Sequence, residues 1–204
     1  MITVSILLGI SALVLGLFVS QQVRLSKERA FAAFHGTLLN QPRLVSSFAL
    51  MGGDGVPFTN ASLKGQWTML FFGFTHCGAI CPTTMAQLSK MMHLLEESGV
   101  TAYPRVVMVS VDPERDSLEQ LDKYVKGFHS QFYAARGEEG SIGPMTHEMG
   151  IAYGKVAHPS SQKDDIEHTG TILLFNPDGK LSAFFTSPHD PASMAEDYKL
   201  VAQL

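Results

Sequence analysis

The sequence predicts an α/β domain three layers deep, carried behind an N-terminal membrane-spanning helix. Three observations predict it. Over residues 44–204, short apolar runs suited to buried strands alternate with runs of helical period. One of the apolar runs leads through the only two cysteines of the chain, Cys77 and Cys81, straight into a helix-like segment. Ahead of all this, Ile2 to Val19 contains no charged residue.

The N-terminal run comes first. Its polar side chains are Thr3, Ser5 and Ser11, and its eighteen residues would span roughly 27 Å as a helix, close to a ~30 Å hydrocarbon core. The alternative is a cleaved signal peptide, whose apolar region is usually shorter and is followed by a small-residue cleavage site. A retained anchor over residues 1–21 fits better. Residues 22–43 then read as a juxtamembrane helix and linker, with Phe31, Phe34, Leu38 and Leu39 at roughly helical spacing. Arg24, Lys27 and Arg29 follow the span and nothing basic precedes it, which by the positive-inside tendency alone would leave the domain in the cytoplasm.

From Leu44 the elements alternate. Ser47 to Met51 reads as a strand, turned by Gly52-Gly53-Asp54-Gly55. Trp67 to Phe74 is almost continuously apolar, as a central strand buried on both faces must be. Thr83 to Glu97 follows as a helix with Met85, Leu88, Met91, Met92 and Leu95 on one face, and Gly99 stands where a left-handed cap is needed. Arg105 to Val111 is the next buried strand, and Asp116 to Gly127 the next amphipathic helix. Phe132 to Ala134 reads as a short strand, and Pro144 to Ala152 as a helix with proline in its first turn. Thr171 to Phe175 and Lys180 to Phe185 flank Asn176-Pro177-Asp178-Gly179, a hairpin signal, and Ala192 to Leu204 closes as a helix. Strand, helix, strand, helix, hairpin, helix is the thioredoxin-like order. It puts Cys77 and Cys81 at the carboxyl end of a central strand, where open α/β sheets carry their sites.

Composition narrows the function. The chain has 204 residues and a net charge of −4, with no basic stripe, so nucleic acid is not a partner. A single cysteine pair does not make a disulfide-stapled scaffold, and a domain of this length buries a core without staples. The pair is therefore free for chemistry. Unpaired N–H groups and the positive end of the dipole at a helix start favour thiolate over thiol, and thiolates either exchange disulfides or bind soft metals. Cysteines at i and i+4 face the same way once a helical turn forms between them, and favour Cu(I) or Zn(II) over Mg or Ca. Two ligands are too few for a closed site. His168, in Glu167-His168-Thr169-Gly170 just before the predicted strand at Thr171, is the best third donor, because that loop should lie against the cysteine turn.

The chain resembles a known family at this point. Phe71-Phe72-Gly73-Phe74-Thr75-His76-Cys77, Cys81-Pro82-Thr83-Thr84, Val111-Asp112-Pro113-Glu114-Arg115-Asp116, His168-Thr169-Gly170 and Asn176-Pro177-Asp178-Gly179-Lys180 are similar to the Sco/SenC proteins. These are membrane-anchored, thioredoxin-like copper chaperones that support assembly of cytochrome c oxidase. The resemblance implies copper, as Cu(I) or Cu(II), held by Cys77, Cys81 and His168, with Asp112 as a supporting or partner-facing carboxylate. It implies a domain facing the periplasm or the mitochondrial intermembrane space, which is preferred here over the charge rule. It also implies that the partner is the copper-bearing subunit of the oxidase or an assembly factor. On this reading the protein is a metallochaperone and does not turn over a small substrate. Two positions depart from the family pattern: Gly78-Ala79-Ile80 stand where a Pro-Asp pair before an apolar residue is usual, and Thr169 replaces a serine.

The alternative is a thiol–disulfide oxidoreductase in which Cys77 and Cys81 form a redox-active disulfide and act on the oxidase subunit or other extracytoplasmic proteins. Thioredoxins separate their cysteines by two residues and place a proline before the late strand; here three residues intervene and a histidine stands nearby. Other metal-ligating types read as packing or surface. Met145 and Met149 belong to a core face with His147 pointing elsewhere; Met91, Met92 and His93 are core and surface; His158 is a loop residue; Glu96-Glu97 and Glu138-Glu139 are solvated charge.

Overall fold

The computed structural model describes residues 2–156 and 165–202. Helix α1 (Ile2–Ala33) is continuous and leaves Leu13, Leu15, Leu17 and Phe18 exposed on several sides. Among the described residues no helix is long and apolar enough to cross a membrane. The anchor expected over residues 1–21 rests partly on residues 1–9, whose side chains lie outside the described residues.

The juxtamembrane helix and linker expected over residues 22–43 is helical only as far as Ala33. Thr37–Arg43 forms strand β1. The helix ends where Gly36 passes so close to another strand that an added Cβ would lie 2.8 Å from the Phe184 carbonyl oxygen. Beyond it, β1 pairs antiparallel with the outer strand of the late hairpin, covering backbone groups that would otherwise form an open edge. Tertiary pairing therefore outweighs the helical spacing of Phe34 and Leu38.

The strands β2 (Ala49–Gly52), β3 (Pro57–Thr59), β4 (Thr68–Gly73), β5 (Arg105–Ser110), β6 (Tyr133–Arg136), β9 (Ile172–Phe175) and β10 (Leu181–Phe185) join β1 in one sheet. The order is β1-β10-β9-β4-β5-β6-β2-β3. The central strands β4, β5 and β6 run parallel, whereas β9 runs antiparallel to β4. Helix α2 (Ile80–Glu97) crosses from β4 to β5, and α3 (Leu118–Lys126) from β5 to β6. Every residue of β4 is buried, which explains its unbroken apolar run. On α2, Cys81, Thr84, Met85, Leu88, Met91, Met92 and Leu95 form the buried face, and α5 (Pro191–Val201) packs beside it.

Local rules set the boundaries. Ser117 and Gln120 make a reciprocal capping box at the start of α3, two residues inside the predicted start at Asp116. At the end of α2, Gly99 has φ +74°, its N–H donates to the Glu96 carbonyl, and the Val100 N–H donates to the Leu95 carbonyl, closing the last turn. Helix α4 (Glu139–Glu148) starts earlier than predicted, with Pro144 inside it rather than in its first turn; the ring removes the bond to the Gly140 carbonyl. A separate two-stranded ribbon, β7 (Tyr153–Val156) and β8 (Asp165–His168), has no counterpart in the sequence expectation. It ends on His168.

Candidate metal centre

Strand β4 delivers the chain to the site, and Gly73 at its end is required by packing. A Cβ there would lie 2.9 Å from the Cys81 sulfur and 2.8 Å from the Phe71 ring. The backbone then turns, the Cys77 N–H donating to the Phe74 carbonyl at 3.4 Å, and enters α2. Ala79 occupies the N-cap position and offers no side-chain cap. The Cys77 sulfur supplies the acceptor instead, taking the Cys81 N–H at 3.3 Å. One of the free amides at the helix start is thus satisfied by a cysteine sulfur, so the missing Pro-Asp pair still leaves a formed turn.

Asp116 holds this turn from outside. Its buried carboxylate accepts from the Thr75 N–H at 3.2 Å, from the Thr75 hydroxyl at 2.5 Å and from the Ser110 hydroxyl at 2.7 Å. The loop carrying the cysteines is therefore tied to the end of β5 by charge-assisted bonds. Asp112 behaves differently. It is buried and pairs with Arg115, whose guanidinium lies 5.7 Å from the centroid of the Phe74 ring. Phe74 in turn meets the His168 ring edge-on at 5.7 Å, so Asp112 reaches the histidine through Arg115 and an aromatic ring.

His168 arrives from the opposite side, at the end of β8. Its Nε2 stands 3.1 Å from the Cys81 sulfur and 3.9 Å from the Cys77 sulfur. Its Nδ1 lies 3.2 Å from the Thr169 carbonyl, which can only accept. The ring proton therefore belongs on Nδ1, and the lone pair of Nε2 faces both sulfurs. Burial lowers the His168 pKa below 6.5, keeping the ring neutral. The loop after it is fixed by His189, whose Nε2–H donates to the Gly170 carbonyl at 2.6 Å.

The two cysteines are free and unequal: Cys77 is half-buried and Cys81 is fully buried. The expectation that the helix start favours thiolate is reversed at Cys81, where burial pushes the thiol well above its ordinary value. A proton must therefore leave Cys81 before its sulfur becomes a strong ligand.

The structure thus brings Cys77, Cys81 and His168 together, their ligand atoms all within 4.8 Å of one another. Met145 and Met149 are core residues and His147 is exposed, as read from the sequence. His158 lies outside the described residues. Sequence reasoning missed Asp116, although it stands in the quoted Asp-Pro-Glu-Arg-Asp block, and His189, for which no local signal exists.

Comparison with known proteins gives a concordant result. The SCO1/SenC family model matches residues 37–203. The chain is 31% identical over 170 residues to Protein SCO1 homolog 1, mitochondrial, of Arabidopsis thaliana, covering 83% of this chain and 50% of that protein. It is 28% identical over 188 residues to a SCO2-like protein of Rickettsia prowazekii, covering 90% of this chain and 87% of that one. Of three mitochondrial relatives, from Arabidopsis thaliana, Homo sapiens and Mus musculus, it spans 50%, 61% and 60% of the length. Among solved structures, Arabidopsis thaliana ScoI with copper bound is similar at 31% identity and TM-score 0.71, covering 78% of this chain and 98% of that one. Apo Sco1 from Thermus thermophilus is similar at 32% identity and TM-score 0.71, covering 84% and 97%.

Proposed function

Because the chain belongs to the SCO1/SenC family, we propose that it is a membrane-anchored, extracytoplasmic copper chaperone that binds copper through Cys77, Cys81 and His168. The observation that carries this reading is the orientation of His168: its Nδ1 faces a carbonyl and its Nε2 faces two sulfurs. The donor set fits a soft ion. Bonds of about 2.3 Å to thiolate and about 2.0 Å to imidazole, as for zinc, imply a sulfur–nitrogen separation of about 3.5 Å at a tetrahedral angle. The observed 3.1 and 3.9 Å bracket that value.

Copper is the cargo here. Cys77, the more exposed sulfur, is where an acceptor thiolate would first replace a ligand, with Cys81 and His168 holding the ion until the exchange completes. The acceptor proposed from family membership is the copper-bearing subunit of cytochrome c oxidase or one of its assembly factors. The anchor is supported by the uncharged run Ile2 to Val19 within one continuous helix and by the exposed apolar side chains along it. Mitochondrial and bacterial relatives support a domain facing the periplasm or the intermembrane space. Asp112 is proposed to support the histidine through Arg115 and Phe74.

The test is titration of the reduced full-length chain in detergent with Cu(I) against a competing chelator under anaerobic conditions, beside Cys77→Ala and His168→Ala. One equivalent bound tightly, and lost in both variants, is the expected outcome. Weak binding indifferent to His168, together with ready reduction of protein disulfides, would overturn the reading and make Cys77 and Cys81 the couple of a thiol–disulfide oxidoreductase.

A further inference from the structure

At the other end of α2 a second set of ligand side chains converges. His93 and Glu96 lie one turn apart on the helix, and His129 comes from the loop after α3; their ligand atoms lie within 4.8 Å of one another. The Glu96 carboxylate forks between the two rings, Oε2 at 3.2 Å from His93 Nδ1 and Oε1 at 3.6 Å from His129 Nε2. The ring centroids are 5.5 Å apart. From Cys81 to His93 the helix rises about 18 Å, so this cluster shares no atom with the cysteine centre.

We infer that His93, Glu96 and His129 form a second metal site, for a divalent ion of borderline softness such as Zn(II) or Cu(II). Two imidazoles and a carboxylate suit these ions, and disfavour Cu(I), which prefers sulfur, and Mg or Ca, which prefer oxygen. The spacing agrees: two bonds of about 2.0 Å at a tetrahedral angle put their donor atoms about 3.3 Å apart, and the Glu96 contacts are 3.2 and 3.6 Å. The cluster is also anchored. The His129 side chain is only 8% exposed and its ring lies tilted against Phe132, with centroids 5.1 Å apart. Glu96 is fixed by the closed last turn, its carbonyl accepting from the Gly99 N–H. His93 and Glu96 are 60% and 41% exposed, so water completes the coordination and the ion enters from solvent.

Two contacts bear on the strength of the site, the Glu96 carboxylate on His93 Nδ1 and a backbone amide on His129 Nδ1. The Gln131 N–H donates to His129 Nδ1 at 3.3 Å, so in the metal-free protein the neutral ring carries its proton on Nε2. An ion bound by both rings displaces that proton and the one His93 Nδ1 donates to Glu96, and each ring can take a proton from solvent at its other nitrogen. No net proton is released, but two hydrogen bonds are lost, that of His93 Nδ1 to Glu96 and that of the Gln131 N–H to His129. Ion binding here therefore works against the tautomers of the metal-free cluster, whereas at the cysteine centre the His168 tautomer is already the one a metal needs.

The test uses the full-length chain with Cys77→Ser and Cys81→Ser, so that its result is independent of the copper reading. Zn(II) alone is titrated by calorimetry, and Cu(II) is followed by electron paramagnetic resonance. One Zn(II) is expected, bound at least about tenfold more weakly after His93→Ala or Glu96→Gln, since even outer partners of a metal ligand are worth about 10–100-fold. The Cu(II) spectrum should carry coupling to two nitrogens, reduced to one by His93→Ala. His129→Gln tests the buried ligand, and the exposed His93 decides the matter if that variant fails to fold. Zn(II) affinity and Cu(II) coupling unchanged by His93→Ala would overturn the site.

Discussion

The two ends of helix α2 hold three potential ligands each, and they differ in what surrounds them. At the N-terminal end Cys81 and His168 are buried, and the donors come from three places: the loop after β4, the first turn of α2 and the end of β8. At the C-terminal end two of the three ligands stand on the helix itself and face water. The first arrangement is soft, dry and held by many elements; the second is harder, wet and held mainly by one helix. Selectivity follows from donor type, and affinity from how much of the donor geometry is fixed before the ion arrives.

Breaking the support of the first end gives the largest effect. Asp116→Ala removes the acceptor of the Thr75 N–H, the Thr75 hydroxyl and the Ser110 hydroxyl. Ser110 is fully buried, and each buried polar group left unsatisfied costs about 1–3 kcal/mol. A loss of about 3 kcal/mol or more in urea unfolding is expected, with weaker Cu(I) binding and unchanged Zn(II) binding at the far end. An equal drop at both ends would mean general unfolding rather than loss of support. Gly73→Ala is next. Its methyl would press on the Cys81 sulfur, the Phe71 ring and the Met108 methyl, at 2.9, 2.8 and 3.1 Å. Overpacking of this kind costs about 1–3 kcal/mol. Cu(I) competition should show a weaker complex; an unaltered affinity would mean that Cys81 shifts freely.

The same contrast explains what could be read from the sequence. Strands β4, β5, β9 and β10 and helices α2 and α3 declare themselves through burial on both faces or on one stripe, which is a local pattern. The pair Cys77 and Cys81 is equally local, and His168 followed from the order of elements. The β7–β8 ribbon that carries His168 was not legible, because Tyr153-Gly-Lys-Val and Asp165-Ile-Glu-His have no strong alternation. Strand β1 was misread because its partner lies far along the chain in β10. Asp116 appears on the surface of a charged block, and only the fold shows it turned inward under Thr75. Glu96 read as solvated charge for a related reason: His129, which makes it part of a cluster, comes from another element.

At the exposed end the expected effect on stability is small. His93→Ala should change urea unfolding by less than about 0.5 kcal/mol, as surface substitutions do, while leaving Cu(I) binding intact. A larger loss would mean that the His93–Glu96–His129 contacts act as structural ties without any ion.

His35 and Asp197 invert this arrangement and give the smallest effect. There the carboxylate is fully buried and the histidine half-exposed, with His35 Nδ1 2.9 Å from Asp197 Oδ1. Asp197 also accepts the backbone N–H of His35 and of Gly36, so it pins the end of α1 to α5 even when the ring is neutral. The hydrogen bond and charge of Asp197 raise the His35 pKa above 6.5. A histidine held protonated in the fold contributes stability that is fully present below the unfolded value and disappears as pH rises through the folded one. The urea midpoint of the chain should therefore decline as pH rises from about 6 to about 8, and His35→Gln should flatten that decline. Screening at the exposed ring keeps the slope shallow, and added salt should reduce it further. A midpoint that falls equally in the variant would assign the pH dependence to another group and leave Asp197 as a purely backbone-directed tie.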